Sequence, residues 1–269
     1  MTTSDSGPPE MTKLPFGKDI APDEIFTYDQ LEELKRIVSL AIQHRSPAVI
    51  TGQAGVGKTL GVGAAVSELP TNKYSVVYLG YDQDGSTLLK RLACGLGLQP
   101  KRLRAHTWLQ IGQHLSDNLT EQAKTPVVVI DEAHLLDDPT LEDLRLLTNA
   151  DFDRSSPLVL ILLGQLPLRT RLKAPGFEAL SQRLRFRYAL EGFTEQETAA
   201  YIKHHLRLVS APEDMFSVEA MKLIFLAARG IPREINNYAT LALLKAQSLG
   251  VSKIDAKLTR QVLDQRELN

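Results

Sequence analysis

PAVITGQAGVGKT, residues 47 to 59, is the stretch that decides the fold. A short apolar run stopped by glycines predicts a buried strand that turns sharply into a helix. GQAGVGKT matches G-x-x-x-x-G-K-[ST] in full, a pattern in which backbone N–H groups and the positive end of a helix surround phosphates. The alternative is a glycine-rich turn that matches by chance, which the strand before it and the helix after it disfavour. The predicted nucleotide-binding residues are Gly52, Gln53, Ala54, Gly55, Val56, Gly57, Lys58, Thr59 and Leu60.

Two side chains of this loop and two acidic residues further along predict a reaction as well as binding. Lys58 is expected to reach the β and γ phosphates, and the Thr59 hydroxyl to ligate Mg²⁺. In VVVIDEAHLL, Asp131 at the tip of a buried strand can hold Mg²⁺ through its water, and Glu132 can polarise the attacking water. A solvated acidic strand end is the weaker alternative. ATP and Mg²⁺ are therefore the expected cofactors, with hydrolysis to ADP and phosphate.

The strand-to-helix unit recurs along the chain. SVVYL (75 to 79), PVVVID (126 to 131) and PLVLILLG (157 to 164) are further apolar strands, with helical stretches between them. This alternation predicts an α/β domain with a parallel sheet covered on both faces. From Thr194 onward the pattern is helical, and Thr194 with Glu197 forms a capping box. We expect a flexible tail at 1–12, a nucleotide-binding domain at 13–191 and a small helical lid domain at 192–269.

Composition excludes several classes of protein. The 269 residues have a net charge of −1, 43% hydrophobic and 23% charged residues, and one cysteine, Cys94. These values are typical of a soluble globular protein, and a single cysteine excludes a disulfide scaffold. No apolar run approaches the roughly 18 residues of a membrane span, and the first residues do not resemble a signal peptide. We expect a cytoplasmic protein without a membrane partner, on which a local basic strip is still possible.

Two residues are candidates for reading the γ-phosphate. Gln165 follows the strand PLVLILLG, where its amide could contact the phosphate or the attacking water in the position of a sensor 1 residue. Arg233 follows Pro232 at the start of a helix in ARGIPREIN, where it could swing onto the nucleotide as sensor 2. The alternative for Arg233 is a surface salt bridge, for example with Glu234 or Glu197.

DEAH, residues 131 to 134, also spells a helicase signature. Such a helicase needs two α/β motor domains, and this chain has room for one. His134 is therefore interpreted as an ordinary helix-start residue and not as a coupling element.

LSQRLRFRY, residues 180 to 188, places three arginines at alternate positions. On a strand this spacing would point Arg183, Arg185 and Arg187 toward one face, where an anionic partner is needed. That partner could be a carboxylate of the same chain, a nucleic-acid backbone, or a nucleotide phosphate held by another molecule.

In order along the chain, these motifs resemble an AAA+ P-loop ATPase of the ExeA-like group, which includes TniB/TnsC-type transposition regulators and the ATPase modules of secretion proteins. The resembling segments are GQAGVGKT, VVVIDEAH, LLGQLPLRTRL, LSQRLRFRYALEGFTEQETAAYI and ARGIPREINNYATLALLKA, from about residue 14 to the last helix. The resemblance implies a five-stranded sheet of order 5-1-4-3-2. It also implies an arginine finger acting on the next subunit of a homo-oligomer, a ring or filament: Arg183 first, Arg185 second, with Arg187 structural.

A basic segment lies between the second and third strands. In the resembling transposition ATPases, elements inserted here grip the DNA backbone, and basic side chains with hydroxyls suit such sequence-nonspecific contacts. A solvated helix face is the alternative. The expected DNA-contacting residues are Lys90, Arg91, Lys101, Arg102, Arg104 and Thr107.

The expected function is an ATP-dependent, oligomerising regulator of DNA transposition that binds double-stranded DNA and recruits transposase and target-selector proteins. The alternative is an ATPase that energises assembly of a secretion machine. We expect the first, because no membrane span or cell-wall-binding module follows the helical domain. A nucleotide-dependent scaffold without turnover is a third possibility, which Glu132 beside Asp131 disfavours.

Overall fold

The protein is described from a computed structural model. It describes residues 15–17, 20–80, 86–121, 123–149 and 156–267, without the side chains of residues 86, 87, 266 and 267. The tail expected at residues 1–12 lies outside the described residues. The described residues divide into two compact units, one drawn from residues 29–54 and 58–190 and the other from residues 15–28, 55–57 and 191–267.

The first unit is built on a parallel sheet of five strands. Their order across the sheet is β2-β3-β4-β1-β5, which confirms the order expected from the family resemblance. The register places the carboxyl ends of neighbouring strands together, with Ile130 of β3 beside Leu79 of β2 and Leu162 of β4. The strands are β1 (Ala48–Thr51), β2 (Tyr74–Leu79), β3 (Thr125–Ile130), β4 (Val159–Gly164) and β5 (Phe186–Ala189).

The central strands are buried along their whole length, as expected for a sheet that helices cover on both faces. Every residue of β1, β3 and β4 is buried, whereas the edge strands β2 and β5 contain exposed residues. This agrees with the continuous apolar runs from which the parallel sheet was predicted. The helices of this unit are α1 (Asp29–Gln43), α2 (Lys58–Ser67), α3 (Ser86–Gly95), α4 (Arg104–Thr120), α5 (Asp138–Leu147), α6 (Leu166–Arg171) and α7 (Glu178–Arg183).

The segment LSQRLRFRY is divided between the end of a helix, a connection and a strand. Helix α7 continues to Arg183 because Leu180 and Leu184, four residues apart, both pack into the core of the unit. Arg185 lies in the connection, and only Arg187 belongs to β5. The three arginines therefore do not share one face of a strand, and Arg187 lies two residues into the fifth strand, as expected from the resemblance.

The second unit is helical, as predicted from Thr194 onward. Its helices are α8 (Glu195–Leu208), α9 (Val218–Ala228), α10 (Pro232–Leu249) and α11 (Ala256–Glu267). The expected capping box is present at the start of α8: the Thr194 hydroxyl accepts the Glu197 N–H at 3.2 Å, and the Glu197 carboxylate accepts the Thr194 N–H at 2.8 Å. Phe16, Phe193 and Phe216 belong to the core that these helices enclose. Among the described residues, no helix combines the length and the hydropathy that a membrane crossing requires.

Candidate nucleotide site

The glycine loop between β1 and α2 has the backbone conformation that its sequence requires. Gly55 and Gly57 have φ values of 79° and 104°, a region that residues with a Cβ atom rarely adopt. At Gly55 a Cβ atom would lie 2.7 Å from Cβ of Arg233, so the close approach also requires glycine. Helix α2 begins at Lys58, directly after the loop, so its N-terminus faces the loop. Along the loop, Gly52, Val56 and Lys58 are buried, Gly55 and Gly57 are half-buried, and Gln53, Ala54, Thr59 and Leu60 are exposed.

The Lys58 ammonium lies inside the loop. Its Nζ donates to the carbonyl oxygens of Gly52 and Gln53, at 2.9 Å each, and the residue is 5% exposed. A buried ammonium is stable only with such partners. The positive charge is therefore held beside the backbone of the loop, which together with the N-terminus of α2 suits phosphate binding.

Asp131, the residue that follows β3, accepts hydrogen bonds from three elements. Its Oδ2 accepts the Thr59 hydroxyl at 2.6 Å and the Tyr78 hydroxyl at 2.9 Å. Its Oδ1 accepts the backbone N–H of Glu132 at 2.8 Å. The structure thus brings together Thr59 and Asp131, the two expected metal ligands.

Tyr78 was not predicted from the sequence. Burial, and then its hydrogen bond to Asp131 and the charge of that carboxylate, raise the pKa of Tyr78 to about 12, so the phenol stays a donor. The one signal in the sequence was its place near the carboxyl end of β2, which in a parallel sheet lies beside the end of β3.

Glu132 has an unusual backbone conformation and two polar neighbours. Its φ of 52° and ψ of 36° lie in the left-handed region, which is uncommon for a residue other than glycine. Its Oε2 accepts from Nε2 of Gln165 at 3.3 Å and lies 3.3 Å from Nδ1 of His134. The structure therefore joins the expected water-activating carboxylate to the expected sensor 1 amide within one hydrogen-bonded group.

His134 lies at the start of a helix, as expected, and its ring has polar contacts that were not expected. It lies in a short 3-10 turn, Ala133–Leu135, and its ring contacts the Glu132 carboxylate and the backbone N–H of Gln165. Its side chain is only 11% exposed. The position of His134 at the start of a short helix could be predicted from the sequence, whereas the contacts of its ring could not.

The donor set fits Mg²⁺. A hydroxyl and a carboxylate held 2.6 Å apart are hard oxygen ligands, and Mg²⁺ in nucleotide sites is usually held by one or two protein oxygens, phosphates and water. Within the described part of the chain there is no cluster of three or more His, Cys, Asp or Glu side chains suited to a metal. Thr59 and Asp131 are the side chains that would hold the ion together with the nucleotide.

Arg233, the expected sensor 2 residue, lies in the same compact unit as residues 55–57 of the loop. Helix α10 begins with Pro232 at its first position, as predicted, and the next residue is Arg233. The Arg233 backbone N–H donates to the Gly55 carbonyl at 3.3 Å. The start of α10 thus contacts Gly55, while the Arg233 side chain is exposed.

The three arginines of LSQRLRFRY occupy different environments. Arg183, at the end of α7, is half-buried, and its charge helps to lower the pKa of Glu142 after the larger effect of Arg145. Arg185 is exposed. Arg187 donates from its guanidinium to the carbonyl and hydroxyl of Ser181 and to the Leu184 carbonyl, which ties β5 to α7. This agrees with the structural role expected for Arg187.

The residues expected to contact DNA divide into two groups. Lys90, Lys101 and Arg102 are exposed. In contrast, the Arg91 guanidinium donates to the Gly80 carbonyl at 2.7 Å, and that of Arg104 pairs with Asp143 at 2.6 Å.

Thr107 is a correction to the expected DNA contacts. It is fully buried, and its hydroxyl donates to the Lys101 carbonyl and accepts the Lys101 N–H, both at 3.0 Å. The hydroxyl therefore holds the start of α4 in place and is not available to a DNA phosphate.

The chain is similar in sequence to a known family and to a curated protein. Residues 41–172 match the family described as AAA domain. The chain is 29% identical over 247 residues to the General secretion pathway protein A of Aeromonas hydrophila, covering 91% of this chain and 45% of that protein. The chain therefore spans less than half the length of this curated relative.

Solved structures share the fold at low sequence identity. The ORC2 protein of Aeropyrum pernix has a TM-score of 0.68 at 16% identity, covering 93% of this chain and 71% of that one. A Drosophila ORC bound to DNA has a TM-score of 0.67 at 16% identity, covering 99% and 70%. The Thermotoga maritima RuvB Holliday junction branch migration motor has a TM-score of 0.56 at 18% identity, covering 93% and 73%. At these identities the likeness concerns the fold.

Proposed function

We propose that this chain is an AAA+ P-loop ATPase that binds ATP with Mg²⁺ and hydrolyses it to ADP and phosphate, an interpretation supported by its match to the AAA domain family and by its fold. The observation that carries the proposal is the contact of Thr59 with Asp131, with Glu132 directly beside them. The test is release of phosphate from ATP by the purified chain with Mg²⁺ and with excess EDTA. Lys58→Ala should abolish nucleotide binding and turnover together, and Mg²⁺-independent turnover would refute the proposal.

Each residue of the site has a distinct role in this proposal. The loop N–H groups and Lys58 bind the phosphates, and Lys58 exchanges its two loop carbonyls for phosphate oxygens. Bound Mg²⁺ supplies positive charge that stabilises the transferring phosphoryl group. Glu132 orients water and accepts its proton, while Gln165 donates from its amide to the phosphate or the water.

Assembly of several copies is the second part of the proposal. Arg183 would supply positive charge to the nucleotide of a neighbouring copy, and Arg233 would sense the nucleotide within its own chain. An arginine acting in this way is worth several orders of magnitude in turnover in related phosphoryl-transfer enzymes. Hydrolysis would then depend on protein concentration, because the site is complete only in a homo-oligomer.

A role in secretion has the support of the curated relative. The similarity to General secretion pathway protein A extends over 91% of this chain. On this proposal, ATP-driven assembly of the chain energises construction of a secretion machine. The match covers 45% of that relative, so other segments or proteins would supply the functions of its uncovered part.

A role in transposition has the support of exposed cations. Lys90, Lys101 and Arg102 lie on α3 and just before α4, exposed to solvent. On this proposal, ATP-bound copies assemble on the backbone of double-stranded DNA and recruit transposase and target-selector proteins. The same fold occurs in a Drosophila ORC bound to DNA, so the fold is compatible with such a partner.

One experiment separates the two outputs. Electron microscopy with a nonhydrolysable ATP analogue, with and without duplex DNA, should show rings or filaments if the chain assembles. Particles that form only on DNA support the transposition role, and particles indifferent to DNA support the secretion role. A chain that stays monomeric with nucleotide and DNA would refute the assembly proposal.

A further inference from the structure

Two hydroxyl groups from different elements meet on one oxygen of Asp131. The Tyr78 hydroxyl, near the carboxyl end of β2, donates to Oδ2 at 2.9 Å, and the Thr59 hydroxyl, at the start of α2, donates to the same atom at 2.6 Å. Each oxygen of an ionised carboxylate has two lone pairs, so Oδ2 can accept both protons at once. The Thr59 contact belongs to the expected metal site, and the Tyr78 contact is additional to it.

The end of β2 is anchored on both sides of the chain, which fixes the position of Tyr78. The backbone N–H of Asp131 donates to the Leu79 carbonyl at 2.9 Å, so the strand is tied to the residue that the phenol contacts. The Arg91 guanidinium, from α3, donates to the Gly80 carbonyl at 2.7 Å. The two residues that follow Tyr78 are therefore each held by a hydrogen bond, although β2 is an edge strand of the sheet.

Asp131 needs such donors because it is buried. The residue is only 7% exposed, and a charged carboxylate at this depth needs hydrogen bonds in place of water. The terminal torsion of an aspartate has broad energy minima, so the donors and not a rotamer preference set the direction of the carboxylate. Without the Tyr78 hydroxyl, Oδ2 would lose one of its two donors, and the carboxylate could turn away from Thr59 toward other donors.

We propose that Tyr78 is a positioning residue for the magnesium site, holding the Asp131 carboxylate in the direction that it has beside Thr59. The proposal rests on the proposed function, because it concerns the Mg²⁺ that accompanies the nucleotide. Tyr78 acts through Asp131 and does not itself bind the ion. A phenol adds a hydrogen-bond donor without adding charge, so it orients the carboxylate and leaves it ionised.

Tyr78→Phe tests the proposal because it removes the hydroxyl and keeps the ring. The measured quantity is the affinity for ADP, determined by calorimetry with Mg²⁺ and with EDTA. Tyr78→Phe should bind ADP like the parent in EDTA, and the gain in affinity that Mg²⁺ gives should be about fivefold smaller. Tyr74→Phe, at the opposite end of the same strand, is the matched control and should keep the full gain.

A second measurement concerns the ion directly. Mn²⁺ takes the place of Mg²⁺ in the presence of saturating ADP, and electron paramagnetic resonance measures the concentration of free ion. The Kd of Mn²⁺ should rise about fivefold in Tyr78→Phe and stay at the parental value in Tyr74→Phe. Neither measurement depends on turnover. An equal loss of ADP affinity with and without Mg²⁺ would mean that Tyr78 only supports the fold, and this would overturn the proposal.

The remaining outcomes separate this inference from the proposed function. If Tyr78→Phe gains as much from Mg²⁺ as the parent does, the hydroxyl does not position Asp131 for the ion. A larger gain in Tyr78→Phe would show that the hydroxyl competes with the ion, which also overturns the proposal. If the parent itself gains nothing from Mg²⁺, the proposed function fails as well. If the parent and Tyr74→Phe show the gain and Tyr78→Phe shows it undiminished, only this inference fails.

Discussion

The Thr59 hydroxyl donates to Oδ2 of Asp131 at 2.6 Å, joining the start of α2 to the end of β3. Because both oxygens suit Mg²⁺, loss of the hydroxyl should weaken the effect of the ion on nucleotide affinity. We predict that Thr59→Val reduces the Mg²⁺-dependent gain in ADP affinity by about tenfold, or about 1.4 kcal/mol. Calorimetric titration with Mg²⁺ and with EDTA measures this gain. Thr170→Val, on exposed α6, is the control and should keep the full gain.

Arg183 is half-buried and Arg185, two residues later, is exposed. The same substitution at Arg185 is therefore a suitable control for a substitution at Arg183. We predict that Arg183→Ala binds ATP like the parent but loses ATP-dependent assembly and at least about 100-fold in turnover. Arg185→Ala should retain both. Sedimentation velocity with a nonhydrolysable analogue, together with phosphate release, measures the outcome. The reverse pattern would assign the finger to Arg185, and full activity in both variants would remove the finger from this segment.

Lys101 and Arg102 are the exposed cations best placed to contact DNA together. Replacing both with glutamine should weaken binding to duplex DNA. The slope of the logarithm of the binding constant against the logarithm of the salt concentration should also decrease, by the amount expected for the loss of about two phosphate contacts. Fluorescence anisotropy at several salt concentrations measures both quantities. Lys253→Gln, in the helical unit, is the control. An unchanged salt dependence in the double variant would place any DNA contact elsewhere.

His205 predicts how stability depends on pH. Burial among aromatic rings, and then the charge of His204, lower its pKa from 6.5 to about 4. Because the folded pKa lies below the unfolded one, the unfolded chain takes up the proton first as pH falls. The contribution of neutral His205 to the free energy of unfolding is therefore fully present above about pH 6.5. It decreases as the pH falls toward 4, by at most about 3 kcal/mol.

Replacing His205 with phenylalanine should remove this part of the pH dependence, because Phe has no proton to gain. Urea unfolding at pH 7.5 and at pH 5 measures the difference. The parent should lose more stability between the two pH values than His205→Phe does. Equal losses in the two proteins would mean that His205 is not the responsible group.

The central architecture could be predicted because it follows from local patterns. The sequences of β3 and β4 are nearly continuous apolar runs, which predict buried strands. The glycine loop is recognisable because positive φ values at Gly55 and Gly57 require glycine there. The capping box at Thr194 fixed the start of the helical part for the same local reason. Gln165 beside Glu132 could also be predicted, since carboxyl ends of neighbouring parallel strands meet.

What could not be predicted depends on the directions of side chains. Tyr78 is one of two tyrosines in β2, and only the twist and edge position of the strand bring its hydroxyl to Asp131. Thr107 has a hydroxyl suited to phosphate, but the packing of α4 buries it. The arginines of LSQRLRFRY have a spacing of two, but packing of Leu180 and Leu184 extends α7 through Arg183. In each case the position or direction of the side chain depends on tertiary packing, which the local sequence pattern does not determine.

Turnover by Glu132→Gln tests the central claim most directly, because this change keeps the size of the side chain and removes its ability to accept a proton. Equilibrium binding of ATP with Mg²⁺ and release of phosphate should be measured on the same preparation. We predict parental affinity with turnover reduced at least about 100-fold. Phosphate release at the parental rate by a variant that binds ATP normally would contradict the account.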